Sequence, residues 1–453
     1  MNGGPAARGL ATARSLDASL LVVLAGVSAA LHVGKLPPAI PVLRDALGIT
    51  LVQAGFLLSL VQLAGMALGL LVGVLADGIG LRRTVITGLL LLALASAWGG
   101  TATDANALLL ARAAEGAGFL LASLPGPALI RQLVAPARLN ARLGLWGTYM
   151  PLGTALALLI GPACIAAWGW PAWWWVLAAL SLLMAAVVWR CVPADATRIA
   201  TPAAVAARHA AGAPAARAGS AGSAGSAGSA ASAGSAGSAD SEGSAALWWQ
   251  RLVRTLSHRG PWLVSLAFAV YSAQWLAVIG FLPDIYARAG VAPAQGAVLT
   301  ALAAAVNMLG NLASGRLLQR GVAARQTLTL GYVAMAVGAM LAFADAGQPA
   351  ALRYSGVLLF SAVGGLIPGT LFATAVRLAP GERTVAPTVG LMQQLSFTGQ
   401  FLGPPLVAWV AVRAGGWHWT WAVTGLLALG GLLIAQLIQQ ALARDNPRAE
   451  APR

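Results

Sequence analysis

The stretch Gly73-Val74-Leu75-Ala76-Asp77-Gly78-Ile79-Gly80-Leu81-Arg82-Arg83 decides how the chain reads. It is a charged, glycine-punctuated turn between two apolar runs, Thr50 to Ala76 and Thr84 to Thr101. At ~1.5 Å rise per residue, each run is about long enough to cross a hydrocarbon core. A tight charged turn between two such runs belongs at a membrane surface, so it joins two spans on one side.

Composition agrees with a membrane location. Of 453 residues, 58% are hydrophobic and 9% charged, a balance that no soluble globular domain of this length needs. The formal charge of +15 comes from basic residues scattered singly between apolar runs. That distribution speaks for membrane topology and against nucleic acid, which selects basic clusters on one element. Cys164 and Cys191 lie in or at the end of apolar runs and read as small hydrophobes, with no disulfide or metal role. The first run, Leu16 to Leu36, lacks a convincing cleavage site and is followed by more spans, so it reads as a span and not as a leader.

The turn resembles the signature loop between the second and third helices of the major facilitator superfamily. In that loop a glycine, an aspartate, a second glycine and paired basic residues recur, and they fall here on Gly73, Asp77, Gly80, Arg82 and Arg83. Internal repetition supports the resemblance. A shift of 242 positions brings Pro41 onto Pro283, Gly48 onto Gly290, Gln53 onto Gln295, Gly73 onto Gly315, Arg83 onto Arg325 and Gly161-Pro162 onto Gly403-Pro404. The second copy of the loop is degraded, with Gln319 in place of Asp77 and Val322 in place of Gly80. The resemblance implies an all-α integral membrane protein, twelve transmembrane helices in two six-helix halves, the major facilitator fold.

Residues 1–193 then form the N-terminal half, 194–260 a linker, 261–443 the C-terminal half and 444–453 a tail. The Gly-Ser-Ala repeat from Gly219 to Ala245 has no apolar face to bury and reads as a disordered tether. After it, Trp248, Trp249, Arg251 and Arg254 suggest a short amphipathic helix on the membrane surface. Trp168, Trp170, Trp173, Trp174 and Trp175, between spans five and six, read as an interfacial aromatic belt. The positive-inside rule orients the bundle. With both termini and the loops after even-numbered spans in the cytoplasm, those segments carry 22 of the 28 basic residues. Lys35, Arg44, Arg288, Arg353 and Arg413 fall on the other face, and Arg112 inside span four. The expected location is the cell's inner (plasma) membrane.

Charge at membrane depth costs at least ~2.5 kcal/mol per residue, so each such group needs a reason. Arg112 and Glu115 are three residues apart in span four and share a helical face. The family carries an arginine followed four residues later by glycine in this span, matched by Arg112 and Gly116, and the resemblance implies proton coupling or compensation of substrate charge. The pair equally reads as a structural ion pair. Lys35, the chain's single lysine, reads either as snorkelling to the headgroups or as an anchor for an anionic solute. His32 lies one turn before it. The second half offers uncharged amides at depth, Gln274, Asn307, Asn311, Gln393, Gln394 and Gln400, beside Tyr271 and Trp275. Each reads as interhelical glue or as a specificity donor. Gly153, Gly161 and Pro162 in span five, with Gly399, Gly403, Pro404 and Pro405 in span eleven, read as a rocking interface between halves.

No phosphate-cradling loop, dinucleotide loop, metal-ligand cluster or nucleophile triad occurs, so neither an enzyme nor an ATP-driven pump is expected, and no cofactor. The expected function is secondary active transport of a small polar or anionic solute by alternating access, with a proton as coupling ion. Lys35, Arg112, Gln274, Trp275, Asn307, Gln393 and Gln394 are the substrate-binding candidates, Arg112 and Glu115 the coupling pair, and the Gly73–Arg83 loop the gate. The text around His32–Pro38 and Gln400–Pro405 is similar to the cyanate and nitroimidazole porter branch. Proton-driven efflux of hydrophobic compounds and a non-transporting sensor or scaffold are the alternatives. The expected partners are the solute, the proton and the bilayer.

Overall fold

The computed structural model describes residues 17–195, 249–345 and 347–445, leaving aside the side chains of 71–78 and of a few positions elsewhere. The Gly219–Ala245 tether, the arm with Arg8 and Arg14, Trp248 and the last eight residues lie outside the described residues, as does the side chain of Asp77.

Eleven helical segments among the described residues are long and apolar enough to cross a membrane. One of them, Arg142–Cys191, holds 50 residues, far more than a single crossing needs. It reverses at Gly169, where φ is 80° and ψ 165°, a backbone region that only glycine occupies without strain. The chain therefore crosses twice there, as spans five and six, and the twelve expected spans are all present.

Several spans are broken within the bundle. Span one runs as helix Ala18–Gly34, a 3₁₀ turn Pro37–Ala39 and a second helix Ile40–Leu47. Pro37 opens that turn, where its missing N–H costs nothing. Span two starts at Thr50, whose hydroxyl accepts from Gln53 N at 3.1 Å while Gln53 Oε1 accepts from Thr50 N at 2.8 Å. It continues as Leu51–Ser59, a 3₁₀ turn Leu60–Gln62 and Leu63–Ile79. The stretch expected to be a turn from Gly73 onward is thus helical as far as Ile79. The reversal is confined to Gly80, with φ at 101°, and span three begins at Leu81. An apolar run Leu70–Ala76 continues a helix more readily than it breaks one, which is why the turn shrinks to one residue.

Span three is Leu81–Gly99 and span four Ala105–Ser123 with Gly126–Leu133. Span four approaches the 3₁₀ turn of span two so closely that a Cβ on Gly116 would sit 2.8 Å from the Val61 carbonyl oxygen. In the second half, span seven is Arg259–Arg288, span eight Pro293–Ala305 with Asn307–Gln319, and span nine Ala324–Phe343. Span ten is Ala350–Gly364 with Leu366–Leu378, span eleven Val385–Arg413 and span twelve Thr420–Asp445.

Gly153 and Gly161 pack on span one, and Gly399 and Gly403 on span seven, so these small residues tighten each half internally instead of lining a rocking surface. Pro404 and Pro405 do face the other half, against Gly55 of span two. The seam between halves is mainly span two on span eleven, and the first part of span eight on the spans five–six hairpin. The second part of span eight, toward the face that carries the linker, barely touches that hairpin, while span two packs on span eleven along both its parts. At the opposite face the seam is bridged by charge. Asp284 of span seven, 3% exposed, accepts from Arg44 at 3.3 Å and from Arg288 at 2.8 Å. The exposed girdle is apolar, including Leu94, Leu426 and Leu433, as a hydrocarbon solvent requires.

The tryptophan belt divides. Trp168 and Trp175 are 71% and 49% exposed, as a belt predicts, but Trp173 and Trp174 are 2% and 0% exposed. A helical period carries alternate pairs of a continuous aromatic run inward, so composition alone could not separate them.

Two outcomes follow from this architecture. Gly169→Ala should destabilise the protein by about 1–3 kcal/mol, read as a lowered melting temperature in detergent. Gly144→Ala, in open space at an ordinary φ, should leave it unchanged. Asp284→Asn should weaken the bridge at the opposite face. Electron-spin distances between labels on Ala46→Cys and Ala289→Cys, in a background lacking the two native cysteines, should then gain a longer population.

Candidate functional site

The helix of span one ends at Gly34, in the interior of the bundle and not at a surface. Its last carbonyls have no partner in their own helix, and the negative end of the helix dipole lies there. Cations and N–H donors gather to meet it. Arg112 Nη1 donates to the His32 carbonyl at 2.7 Å, and Trp173 Nε1 donates to the Lys35 carbonyl at 3.1 Å.

Glu115 balances the charge. Its Oε2 accepts from Arg112 Nη1 at 2.5 Å, and its Oε1 pairs with Lys35 Nζ. Lys35 also donates to Ser96 Oγ at 2.9 Å and stands 4.6 Å from the centre of the Trp174 ring, a cation–π distance. Ser96 Oγ in turn donates to the Trp174 carbonyl at 2.9 Å. His32 Nε2 pairs with Ser181 Oγ of span six at 2.8 Å. His32, Lys35, Ser96, Arg112, Glu115 and Ser181 are each 0% exposed.

Arg112 and Glu115 therefore pair with each other, and the lysine that could have snorkelled turns inward to share the same carboxylate. Arg112 reaches further. Its Nε donates to the Leu57 carbonyl at 3.0 Å, just before the 3₁₀ turn where span two leaves regular α-helix. Arg112 and Gly116, one turn apart, thus hold and admit the same break: one supplies a donor, the other the space.

Gln62, in that break, reaches across the seam and donates from Nε2 to Gln400 Oε1 of span eleven at 3.0 Å. Gln400 continues to Ser396 Oγ at 3.3 Å, and Ser396 to Ser272 of span seven at 2.7 Å. Gln394 Nε2 donates to the Met66 carbonyl across the same seam at 2.8 Å. Gln393 is half-buried beside it. Gln274 is fully buried and donates back along its own helix to Val270 O at 3.0 Å, while its Oε1 has no partner.

Asn307 opens the second part of span eight. It donates to Tyr271 Oη and to the Ser361 carbonyl, both at 2.9 Å, and accepts from Asn311 at 2.9 Å. Trp275 Nε1 reaches Ser361 Oγ at 3.3 Å. The structure thus gathers Lys35, Arg112 and Glu115 in one cluster of the first half, and Trp275 with Asn307 around Ser361 in the second. It does not merge the two groups.

The loop candidates lie elsewhere. The backbone N–H groups of Arg82 and Arg83 donate to Asp195 at 3.1 and 3.3 Å, and the Arg82 guanidinium donates to the Trp189 carbonyl. These contacts are made to the end of span six, inside the first half. Asp195 sits past the last apolar residue of its span, where nothing in its neighbours marks it as a helix cap for a distant element. Ser96 and Ser181 were equally unmarked, whereas Asp284 is a carboxylate inside an apolar run. Gln62 carries a signal in hindsight, being an amide inside an apolar run.

The comparisons with known proteins bear on this geometry. Over 148 residues the chain is 36% identical to the puromycin resistance protein pur8 of Streptomyces alboniger, a stretch covering 32% of this chain and 28% of that protein. Among solved structures, a bacterial homologue of the human lysosomal transporter Spinster superimposes with TM-scores of 0.68 in its inward-facing unoccupied form and 0.70 in its inward-facing occupied form. Sequence identities are 14% and 13%, and each superposition covers 94% of this chain and 97% of the other. The sequence matches the Major Facilitator Superfamily over residues 19–388 and again over 263–453. The chain, with its twelve spans and two halves, belongs to the Major Facilitator Superfamily of transporters.

Proposed function

We propose that the protein is a secondary active transporter of a small polar or anionic solute, working by alternating access with a proton as coupling ion. The observation that carries this reading is the charge count of the buried cluster. Two cations, Lys35 and Arg112, share one carboxylate, Glu115, at zero exposure. Two N–H donors there, Arg112 Nη2 and Trp174 Nε1, have no partner. Uncompensated positive charge in a low-dielectric interior is costly, so an anionic or acceptor-rich group that reaches the cluster when the bundle opens is stabilised by it.

Glu115 is the natural proton acceptor of this scheme. When protonated it no longer balances Lys35 and Arg112, and Arg112 is the residue that holds the break in span two. That break carries Gln62, which touches the other half, so a change of charge at Glu115 has a path of direct contacts to the seam. Gln274, Trp275, Asn307, Gln393 and Gln394 supply hydrogen bonds and an aromatic wall from the second half. The bias of basic residues toward the linker face supports placing that face, and both termini, in the cytoplasm of an inner membrane.

A second reading, efflux of hydrophobic compounds, is favoured by one observation: the partial similarity to a puromycin resistance protein. Counterflow in proteoliposomes separates the two. A panel of small labelled anions should exchange, and labelled puromycin should not; exchange of puromycin alone would replace the first reading with the second.

The variants of the cluster have an ordered outcome. Lys35→Met leaves the neutral Arg112–Glu115 pair, and Arg112→Gln leaves the neutral Lys35–Glu115 pair. Both should reach the membrane in near-normal amount and lose transport by at least about tenfold. Glu115→Gln leaves two buried cations without a counter-charge, a loss of about 3–5 kcal/mol that should show first as lost folded protein. Equal yields for all three, by fluorescence-detected gel filtration, would contradict the charge count.

A further inference from the structure

The linker face of span twelve carries a site of a different kind. Between the start of span seven and the end of span twelve lies a cavity of about 460 Å³. Clefts of ~300–1,000 Å³ are the usual size for bound small molecules. One side of its lining is apolar, with Trp262, Leu263 and Leu437, and its rim is basic, with His258, Arg259 and Arg444. Among the described residues no carboxylate lines it. Span seven starts at this rim, after His258, with no side chain capping its first turn, so free backbone N–H groups and the positive helix end add to the arginines.

The mouth of the cavity opens onto the apolar girdle. Trp262 and Leu437 are 39% and 46% exposed, and Trp262 Nε1 donates to the Leu256 carbonyl at 2.9 Å, which fixes the indole at the entrance. Alongside, the helix over 249–256 buries Leu252 and Thr255 in the bundle. A stripe beside that buried face, Trp249, Val253 and Leu256, spaced four and three residues apart, stays 60%, 51% and 37% exposed. An exposed aromatic and aliphatic stripe flanked by arginines is the pattern of a helix seated in a lipid interface. Arg254, on the same helix, donates to the Pro380 carbonyl at 3.1 Å and so ties it to the loop before span eleven.

We propose that this cavity binds the headgroup of an anionic phospholipid. The phosphate sits between Arg259 and Arg444 at the start of span seven, and the acyl chains run out along Trp262, Leu263 and Leu437 beside the exposed stripe of 249–256. A free phosphate shares the headgroup chemistry, but it has no use for the apolar wall or for a mouth that opens toward hydrocarbon. The bound lipid fastens the end of the linker, span seven and span twelve together at one point of the second half.

The test uses the full chain purified in detergent, with bound lipid counted by native mass spectrometry. Dioleoyl-phosphatidylglycerol should bind in preference to dioleoyl-phosphatidylcholine. A basic residue near an anionic lipid surface is worth roughly fivefold in affinity, so Arg259→Gln with Arg444→Gln should weaken phosphatidylglycerol binding roughly thirtyfold. Arg259→Lys with Arg444→Lys should keep most of it, and Arg325→Gln, in the neighbouring groove between spans nine and twelve, should leave it intact. Monodispersity on gel filtration, checked for every variant, excludes a folding failure as the cause of any loss. Equal binding of the two lipids, an unaltered double glutamine variant, or displacement of the lipid by millimolar inorganic phosphate would each overturn the proposal. None of these readouts depends on solute transport.

Discussion

A single carboxylate shared by two cations, with no solvent contact, is the constraint around which the first half is arranged. Burying three charges is tolerable only if every one has partners at short range, and the fold provides them from five spans, span two giving the Leu57 carbonyl. Span one ends its helix early to expose carbonyls, span three contributes Ser96, span four Arg112 and Glu115, and span six the tryptophans that close the cluster. The ending of span one is as much a part of the site as the charged residues. Had its helix continued through Lys35, the carbonyls that Arg112 and Trp173 now meet would be spent within the helix itself.

The same constraint ties the cluster to motion. Arg112 divides its donors between the carboxylate, the end of span one and the break in span two. A guanidinium with its donors in a fixed fork cannot satisfy all three if one moves, so span one and span two are mechanically linked through it. Span two is also the longest contact with the second half, and its break carries the glutamine that crosses the seam. The seam itself is bonded lightly, by amides in the middle and by Asp284 between two partly exposed arginines at the opposite face. Strong, sealed charge pairing inside a half, and amides with one partly exposed ion pair between halves, is the division expected of bodies that rock as units.

The twelve spans were legible because long apolar runs at fixed intervals admit few other readings, and even the hidden reversal at Gly169 was marked by tryptophans and by Pro171 nearby. Arg112, Glu115 and Lys35 were legible as anomalies, since charge inside a span is rare enough to stand out. What they touch was not. Three residues of spacing puts Arg112 and Glu115 on one face, but whether that face meets a cavity, a neighbour or lipid depends on how the helix is rotated about its axis. In a helix apolar all round, no stripe of side chains tells one rotation from another. For the same reason Trp173 and Trp174 could not be told from their exposed neighbours. Ser96, Ser181 and Asp195 act through hydrogen bonds with residues distant in sequence, and a lone serine or aspartate has no local pattern that announces such partners.

The two ends of the linker are held in unlike ways, and this bears on how the halves move. At one end Asp195 accepts from the first turn of span three, a contact between neutral backbone and carboxylate wholly within the first half. At the other, the helix over 249–256 lies against the second half and bonds to the loop before span eleven. Each attachment stays inside one half, so neither needs to break when the halves rotate. Chain connectivity then opposes the rotation only through the segment between these two anchors, and the energy that separates the two access states resides in the seam. Among the described residues the polar bonds that cross it, Gln62 to Gln400, Gln394 to Met66 and Arg44 to Asp284, are individually worth about 1 kcal/mol or a little more, and the rest of the seam is packing.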